Sequence, residues 1–191
     1  MKRRKGAMGA VGLVLAAGAG TRFGGPKGLA RAADGTPWIE LAVRMLRAGG
    51  CDAVLVAVGA SADAVAGLVP TDAATVRVDG WERGLGETLR TALRAASALA
   101  PDVVVVTPVD TPDAAPAAVA RVLAAGALAR AVYDGAPGHP VAIPRSHLGP
   151  LIAALPRADR GAGSYLFSHR AVEVECGDLW SGADVDSRAK G

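Results

Sequence analysis

Apolar residues along this chain follow two alternating patterns. Short continuous apolar runs are separated by longer segments in which apolar positions recur every three or four residues. Residues 11–16 (Val-Gly-Leu-Val-Leu-Ala) form a continuous run closed by Gly18, which predicts a strand buried on both faces of a parallel sheet. A helical segment follows, with Trp38, Ile39, Leu41, Ala42, Met45 and Leu46 on its apolar side. Thr36 is placed to cap it, Pro37 suits its first turn, and Gly49-Gly50 ends it. Residues 53–58 predict a second strand, Ser61 caps a helix running to Val69, and residues 75–78 predict a short third strand. Residues 86–99 set Leu89, Leu93 and Ala96 on one helical face before Pro101. Residues 103–106 are consecutive valines, the pattern of a central strand covered on both sides. Residues 112–125 predict a helix ended by Gly126.

Beyond Gly126 the pieces shorten. Residues 131–133 and 140–143 predict strands around a Gly/Pro turn, Ser146 and Gly161 open two short helices, and residues 171–174 predict a last strand. The βα alternation over the first two-thirds predicts a single-domain α/β fold. Its layers are α/β/α around a mostly parallel, Rossmann-like sheet with right-handed crossovers. The shorter pieces predict a lobe or hairpin over the sheet's open end. Ligands of such sheets sit at the carboxyl ends of the strands, so chemistry is expected just after Leu15, Val58, Val106 and Val174.

Composition narrows the function classes. With 191 residues, 51% of them hydrophobic and 20% charged, the chain can bury a core and is not disordered as a whole. Aromatics are only 4%, so burial must come from many small contacts. The net charge of +3 is concentrated in Lys2, Arg3, Arg4 and Lys5, and the remainder is close to neutral. A nucleic-acid-binding face would spread its cations, so no nucleic-acid partner is expected. Residues 1–8 read as a basic flexible tail rather than a secretory signal, and residues 9–191 as the functional domain. No apolar run approaches the ~18–20 residues of a membrane span, so no membrane partner is expected either. Cys51 and Cys176 lie far apart without metal-type spacing and read as idle thiols in a reducing cytoplasm.

The segment after the first strand carries the candidate chemistry. It runs Leu15-Ala16-Ala17-Gly18-Ala19-Gly20-Thr21-Arg22-Phe23-Gly24-Gly25-Pro26-Lys27. Gly18 and Gly20 let backbone N–H groups approach an anion, and Arg22 and Lys27 bring cations to the same loop. No Gly-Lys-Ser/Thr closes it as in a Walker loop. Phe23 stands where a dinucleotide fingerprint needs its third glycine. Residues alone leave a triphosphate loop and a flexible loop with incidental cations both open.

This segment resembles the Leu-Ala-Ala-Gly-x-Gly-x-Arg-Met-Gly-x-x-Lys signature of sugar-phosphate and cofactor nucleotidyltransferases. Later segments extend the resemblance. Residues 103–112 are similar to the family's hydrophobic strand and Asp-x-Pro, and residues 134–141 contain its Gly138-His139-Pro140. Residues 158–162 resemble Gly-Asp-x-Gly-Ala through Asp159, and residues 184–187 resemble Asp-Ile-Asp-Thr through Asp184 and Asp186. From about Gly9 to Ser187 the chain resembles the MobA/MocA-like group, in particular molybdopterin cytidylyltransferases. Three segments depart from the pattern: Trp81 to Leu89 carries Thr88 where Ser is usual, Gly163 replaces an Arg, and residues 187–191 replace Thr-Pro-Glu-Asp-Leu. These departures bear on the second substrate rather than on the nucleotide.

The resemblance implies a nucleotide-diphospho-sugar transferase-like fold and an NTP transferase domain over residues 9–191. It implies transfer of NMP, here CMP from CTP, to the phosphate of molybdopterin with release of pyrophosphate. Leu15, Ala16, Ala17, Gly18, Gly20, Arg22 and Lys27 would bind the nucleotide, with Lys27, Arg22 and Asp110 as catalytic residues. Asp110 with Asp184 or Asp186 would hold Mg²⁺, or Mn²⁺ in its place. His139, Trp81 and Asp159 would face the acceptor. A molybdoenzyme or its maturation chaperone would be a further partner. Each role has a plainer alternative. Asp110 can instead cap a helix at Pro112, Asp184 and Asp186 can be an exposed acidic turn, and Lys27 can be a solvated lysine. Arg22 can pair with an acid, His139 can be a buried turn residue, and Trp81 can be packing. Transfer to a sugar phosphate or another precursor, guanylyl transfer, and non-catalytic cofactor binding are the rival functions. For base choice, the methyl of Ala17 is expected to narrow the site floor in favour of a one-ring base.

Overall fold

The valine-rich runs become strands of one sheet. In the computed structural model, residues 8–156 and 160–185 are described. Strands β1 (Met8–Ala16), β2 (Ala53–Val58), β3 (Ala74–Arg77), β4 (Pro101–Pro108), β5 (Ala129–Tyr133), β6 (Ala136–Pro144) and β7 (Val172–Glu175) form it. Their order is β3-β2-β1-β4-β6-β5-β7. β1 pairs in parallel with β2 and β4, β2 with β3, and β5 with β7. Only β6 runs against its neighbours β4 and β5. β4 is central, as its valines predict: Val104 and Val105 are fully buried and Val106 is nearly so.

Helices α1 (Trp38–Ala48), α2 (Ala62–Ala66), α3 (Leu85–Ala98), α4 (Pro116–Ala124), α5 (Arg145–Ala154) and α6 (Gly163–Ser168) cover both faces. Ile39, Leu46, Val65 and Val119 bring α1, α2 and α4 against Val14, Val56 and Val105 on one face. Leu89, Leu93, Leu148 and Leu166 bring α3, α5 and α6 against Leu13, Val104, Val106 and Ile143 on the other. The three-layer α/β/α expectation holds. Small residues make the close approach: a Cβ on Gly12 would lie 2.9 Å from Leu46 Cδ1, so α1 lies directly on β1.

Several local expectations change. The helix expected from Pro112 begins at Pro116. Starting earlier would place Pro116 inside the helix without an N–H to donate, whereas at the first position its fixed φ is an advantage. The Ser61 helix stops at Gly67, and Ser61 caps it without a side-chain hydrogen bond. Thr36 is not the cap of α1; Pro37 holds that position. The pieces after Gly126 extend the sheet instead of covering its open end. β6 adds to the edge of β4 from Val103↔Pro144 to Val106↔Val141, which satisfies backbone groups a central strand cannot leave bare. β1 starts at Met8, so the expected tail boundary falls inside it; the basic residues 2–5 lie outside the described residues. Among the described residues no helix is long and apolar enough to cross a membrane.

Leu93 is fully buried between α3 and the sheet. Leu93→Ala is expected to lower unfolding free energy by about 2–5 kcal/mol through lost transfer energy and a residual cavity. Urea denaturation checks this; a loss under about 1 kcal/mol would show that the face repacks.

Candidate active site

The loop after β1 is folded by its glycines. Gly20 adopts a left-handed backbone (φ 59°), and its carbonyl accepts N–H bonds from Phe23 (2.9 Å) and Gly25 (3.1 Å). A Cβ on Gly20 would sit 2.0 Å from the Gly25 carbonyl oxygen, so only glycine fits. Phe23 is buried and packs on Trp38 with ring centroids 5.3 Å apart, anchoring the loop to α1. Gly18, by contrast, faces open space. That space is a cavity of about 760 Å³ lined by Leu15, Ala16, Ala17, Gly18, Gly20, Arg22, Lys27, Trp81, Asp110, His139 and Asp184. The tertiary structure thus gathers every sequence-predicted site residue it describes. Asp159 and Asp186 lie outside the described residues.

β4 supplies the carboxylate. Val109 N–H donates to the Leu15 carbonyl (3.1 Å), holding the end of β4 beside the end of β1, and Val185 N–H donates to the Asp110 carbonyl (2.9 Å). Lys27 Nζ donates to Asp110 Oδ2 at 2.7 Å, with the side chains 16% and 18% exposed. Asp110 Oδ1 is buried with no hydrogen-bond partner among the described residues. This geometry removes two plainer readings: no helix starts at Asp110 for it to cap, and Lys27 is not a solvated lysine. A buried carboxylate oxygen without a partner is costly unless something binds it. Among the described residues no group of three or more His, Cys, Asp or Glu forms a closed metal cage. Asp110 and Asp184 on one cavity suit a hard cation that keeps water and takes its other ligands from substrate phosphates.

The remaining residues divide by contact. Arg22 is exposed on the cavity wall and makes no ion pair among the described residues, so the acid-pairing alternative falls. Trp81 lines the cavity and also packs: a Cβ on Gly59 would lie 2.7 Å from its Cβ. Ala60 N–H donates to the Ala17 carbonyl (2.9 Å), so the residues after β2 brace the loop instead of lining the site. The end of β7 is likewise structural. Glu175 accepts N–H bonds from Asp134, Gly135, Cys176 and Gly177, which hold its carboxyl below the usual range. Ala17 is 2% exposed and its methyl packs in the core, which overturns the steric account of base choice.

His139 is half-buried at the cavity edge, and its carbonyl accepts the Tyr133 hydroxyl at 2.6 Å. Burial pushes its imidazole below the ordinary value, while the charge of Asp110 pulls the other way. Arg83, Leu85 and Thr88 also line the cavity; none was expected at the site, and Thr88 stood out in the sequence only as a departure from the family pattern. Thr88 carried a signal: it is a polar residue on the buried side of α3, next to Leu89. His147 and His169 fit no motif and group instead around Tyr165, between α5 and α6.

A glycine loop, a Lys–Asp pair and a cavity at the strand ends define a nucleotide-handling α/β protein. Residues 12–173 match the MobA-like NTP transferase domain, and the chain belongs to that nucleotidyltransferase family. It is 30% identical over 190 residues to nicotine blue oxidoreductase of Paenarthrobacter nicotinovorans, covering 92% of this chain and 91% of that one. Its structure resembles Rv0371c of Mycobacterium tuberculosis H37Rv with a TM-score of 0.79 at 27% identity, over 96% of this chain and 95% of that one. Rv0371c in complex with manganese matches with a TM-score of 0.67 at 26% identity, over 87% and 86% of the two chains.

Asp110→Asn keeps the side chain's shape and removes its charge. We expect it to remain folded by circular dichroism and to bind Mn²⁺ at least tenfold more weakly in an electron paramagnetic resonance titration. Unchanged Mn²⁺ affinity would remove Asp110 from any cation site.

Proposed function

We propose that this nucleotidyltransferase transfers CMP from CTP to the terminal phosphate of a molybdopterin-type acceptor and releases pyrophosphate. The observation that carries the reading is the Lys27–Asp110 pair beneath the glycine loop, with Asp110 Oδ1 lacking a partner among the described residues. The loop residues 15–20 and Arg22 are the cradle for the triphosphate. Asp110, with Asp184 or Asp186, is the carboxylate set for Mg²⁺ or Mn²⁺. A cation bound there would neutralise developing charge on the phosphate oxygens and the leaving group. Lys27, now balanced by Asp110, would then turn its ammonium to the phosphates, so pairing and substrate binding exchange partners without leaving a buried charge bare.

An acceptor phosphate oxygen forms a bond to the α-phosphorus, and the bond to the bridging β-phosphate oxygen breaks with its electron pair leaving on pyrophosphate. The attacking oxygen is already anionic, so the site needs no general base and no covalent intermediate. Positioning and electrostatics supply the rate. His139, Trp81 and Asp159 are the residues proposed to face the acceptor. The catalytic domain would take in all of β1 from Met8, with the basic residues 2–5 forming a tail ahead of it. A molybdoenzyme or its maturation chaperone would receive the product. The free, buried Cys51 and Cys176 suit a reducing cytoplasm.

A redox reading is favoured by one observation, the 30% identity to nicotine blue oxidoreductase. Pyrophosphate release from CTP with a phosphorylated acceptor supports transfer. NAD(P)H oxidation without pyrophosphate release would replace transfer by the redox reading.

Lys27→Ala is expected to lower kcat/KM for CTP by roughly ten- to a hundredfold, the scale of about 1.5–3 kcal/mol for a charge-assisted phosphate contact. Steady-state pyrophosphate assays decide it, and an unchanged value would make Lys27 a purely structural partner of Asp110. In the same assay with molybdopterin, kcat/KM is expected to be higher for CTP than for GTP. Leu15-Ala16-Ala17-Gly18 and Gly138-His139-Pro140 resemble the cytidylyl branch. Equal or greater efficiency with GTP would make the protein a guanylyl enzyme with the transfer chemistry intact.

A further inference from the structure

After β7 the chain returns to the cavity without regular structure. Residues 176–185 make this return and bring Asp184 to the cavity wall. At the end of the path Val185 N–H donates to the Asp110 carbonyl (2.9 Å), which fixes the backbone just past Asp184. A carboxylate that is to share a cation must also be held from the other side, because an irregular segment has no ladder to orient it.

Tyr133, the last residue of β5, meets the segment on that side. Its side chain is buried. A Cβ on Gly182 would lie 2.4 Å from Cγ and Cδ2 of the tyrosine ring, so the backbone runs directly against the ring edge. Gly182 is left-handed there (φ 75°), and Asp184 follows two residues later. Gly138 of β6 meets the same edge: its Cβ would lie 2.7 Å from Cδ2 and Cε2. Trp180 packs edge-on against the ring with centroids 5.2 Å apart. Contacts this close leave the ring a single position.

The hydroxyl end is fixed as well. Pairing between β5 and β6 shifts from Arg130↔Val141 to Val132↔Pro137, so residues 138–140 of β6 stand opposite residue 131 alone. Such a bulge frees backbone groups from the ladder. Tyr133 Oη–H donates to one of them, the His139 carbonyl, at 2.6 Å. Burial pushes the hydroxyl up to about 12, so it stays protonated and keeps donating at neutral pH. Among the described residues Tyr133 does not line the cavity, so its effect there passes through the segments it holds.

We propose that Tyr133 is the positioning residue of the cation site: its ring sets the turn at Gly182, and that turn sets Asp184 on the cavity with Asp110. The inference rests on the cation role given to Asp110 and Asp184 in the transfer reading, and it adds what holds the second carboxylate in place.

The probe is Mn²⁺ alone, titrated into the full chain by electron paramagnetic resonance, with folding followed by circular dichroism. Wild type is expected to bind Mn²⁺, and Asp184→Asn to bind it about tenfold more weakly. Tyr133→Leu removes the ring edge, and Gly182→Ala forces ring and turn apart. Each is expected to weaken Mn²⁺ about tenfold. Tyr133→Phe keeps the ring contacts and is expected to stay within about twofold of wild type. Combining Tyr133→Leu with Asp184→Asn is expected to cost no more than Asp184→Asn alone, because Tyr133 acts through Asp184. A general loosening of the fold would instead add a second loss through Asp110. Gly182 lies in irregular chain, so Gly182→Ala decides the matter where Tyr133→Leu does not fold. Wild-type Mn²⁺ affinity in Asp184→Asn or in folded Gly182→Ala would overturn the proposal, as would a further loss of about tenfold in the double variant. Wild-type affinity in Asp110→Asn would overturn the cation reading itself.

Discussion

Lys27 and Asp110 are 83 positions apart in the chain, and their charged atoms are 2.7 Å apart in space. That contact exists because β1 and β4 pair in parallel at the centre of the sheet, so both chains leave it at the same end. The glycine loop continues one strand and the carboxylate continues the other. Val109 N–H to the Leu15 carbonyl fixes how far each has travelled when they meet. The other strands and helices hold that junction still. β2 braces the loop through Gly59 and Ala60, and α1 anchors it through Phe23 and Trp38. β6 covers the far edge of β4 and carries His139 to the cavity.

The pair is poised between structure and chemistry. Both side chains are about one-sixth exposed, so neither is desolvated enough to make the bridge a large source of stability, yet each would be poorly placed alone. Among the described residues Asp110 Oδ1 has no hydrogen-bond partner, and it is the polar atom of the pair that Lys27 leaves unsatisfied. One relative, 30% identical over 190 residues, carries the name of an oxidoreductase. A fold of this kind hosts several chemistries, and the side chains at the strand ends decide among them.

Much of this organisation was legible along the chain. Four consecutive valines mark a strand that must be covered on both faces, and they identified β4 as central. Leu89, Leu93 and Ala96 at helical spacing marked the buried face of α3. Glycines at Gly18 and Gly20, followed by Arg22 and Lys27, pointed to an anion-binding loop, because that conformation and that charge are local properties. Boundaries set by competition were less legible. Pro112 and Pro116 each make a good helix start, and only the cost of a proline inside the helix settles which one is used. The short pieces after Gly126 have the right composition for strands, but composition carries no information on which edge they join.

The sequence by itself determined the class of fold, the identity of the loop and the residue types available for phosphate and cation binding. These follow from periodicity, backbone freedom at glycine and side-chain charge, all of which act within a few residues. Tertiary structure decided the rest. It turned the methyl of Ala17 into the core, a direction no local pattern states. It set Trp81 on Gly59 and brought Thr88 to the cavity from the buried side of α3. It paired Arg130 with Glu173 from strands 43 positions apart. Such contacts depend on which strands become neighbours and in what register, and that is fixed only when the whole sheet closes its backbone hydrogen bonds and buries both faces at once.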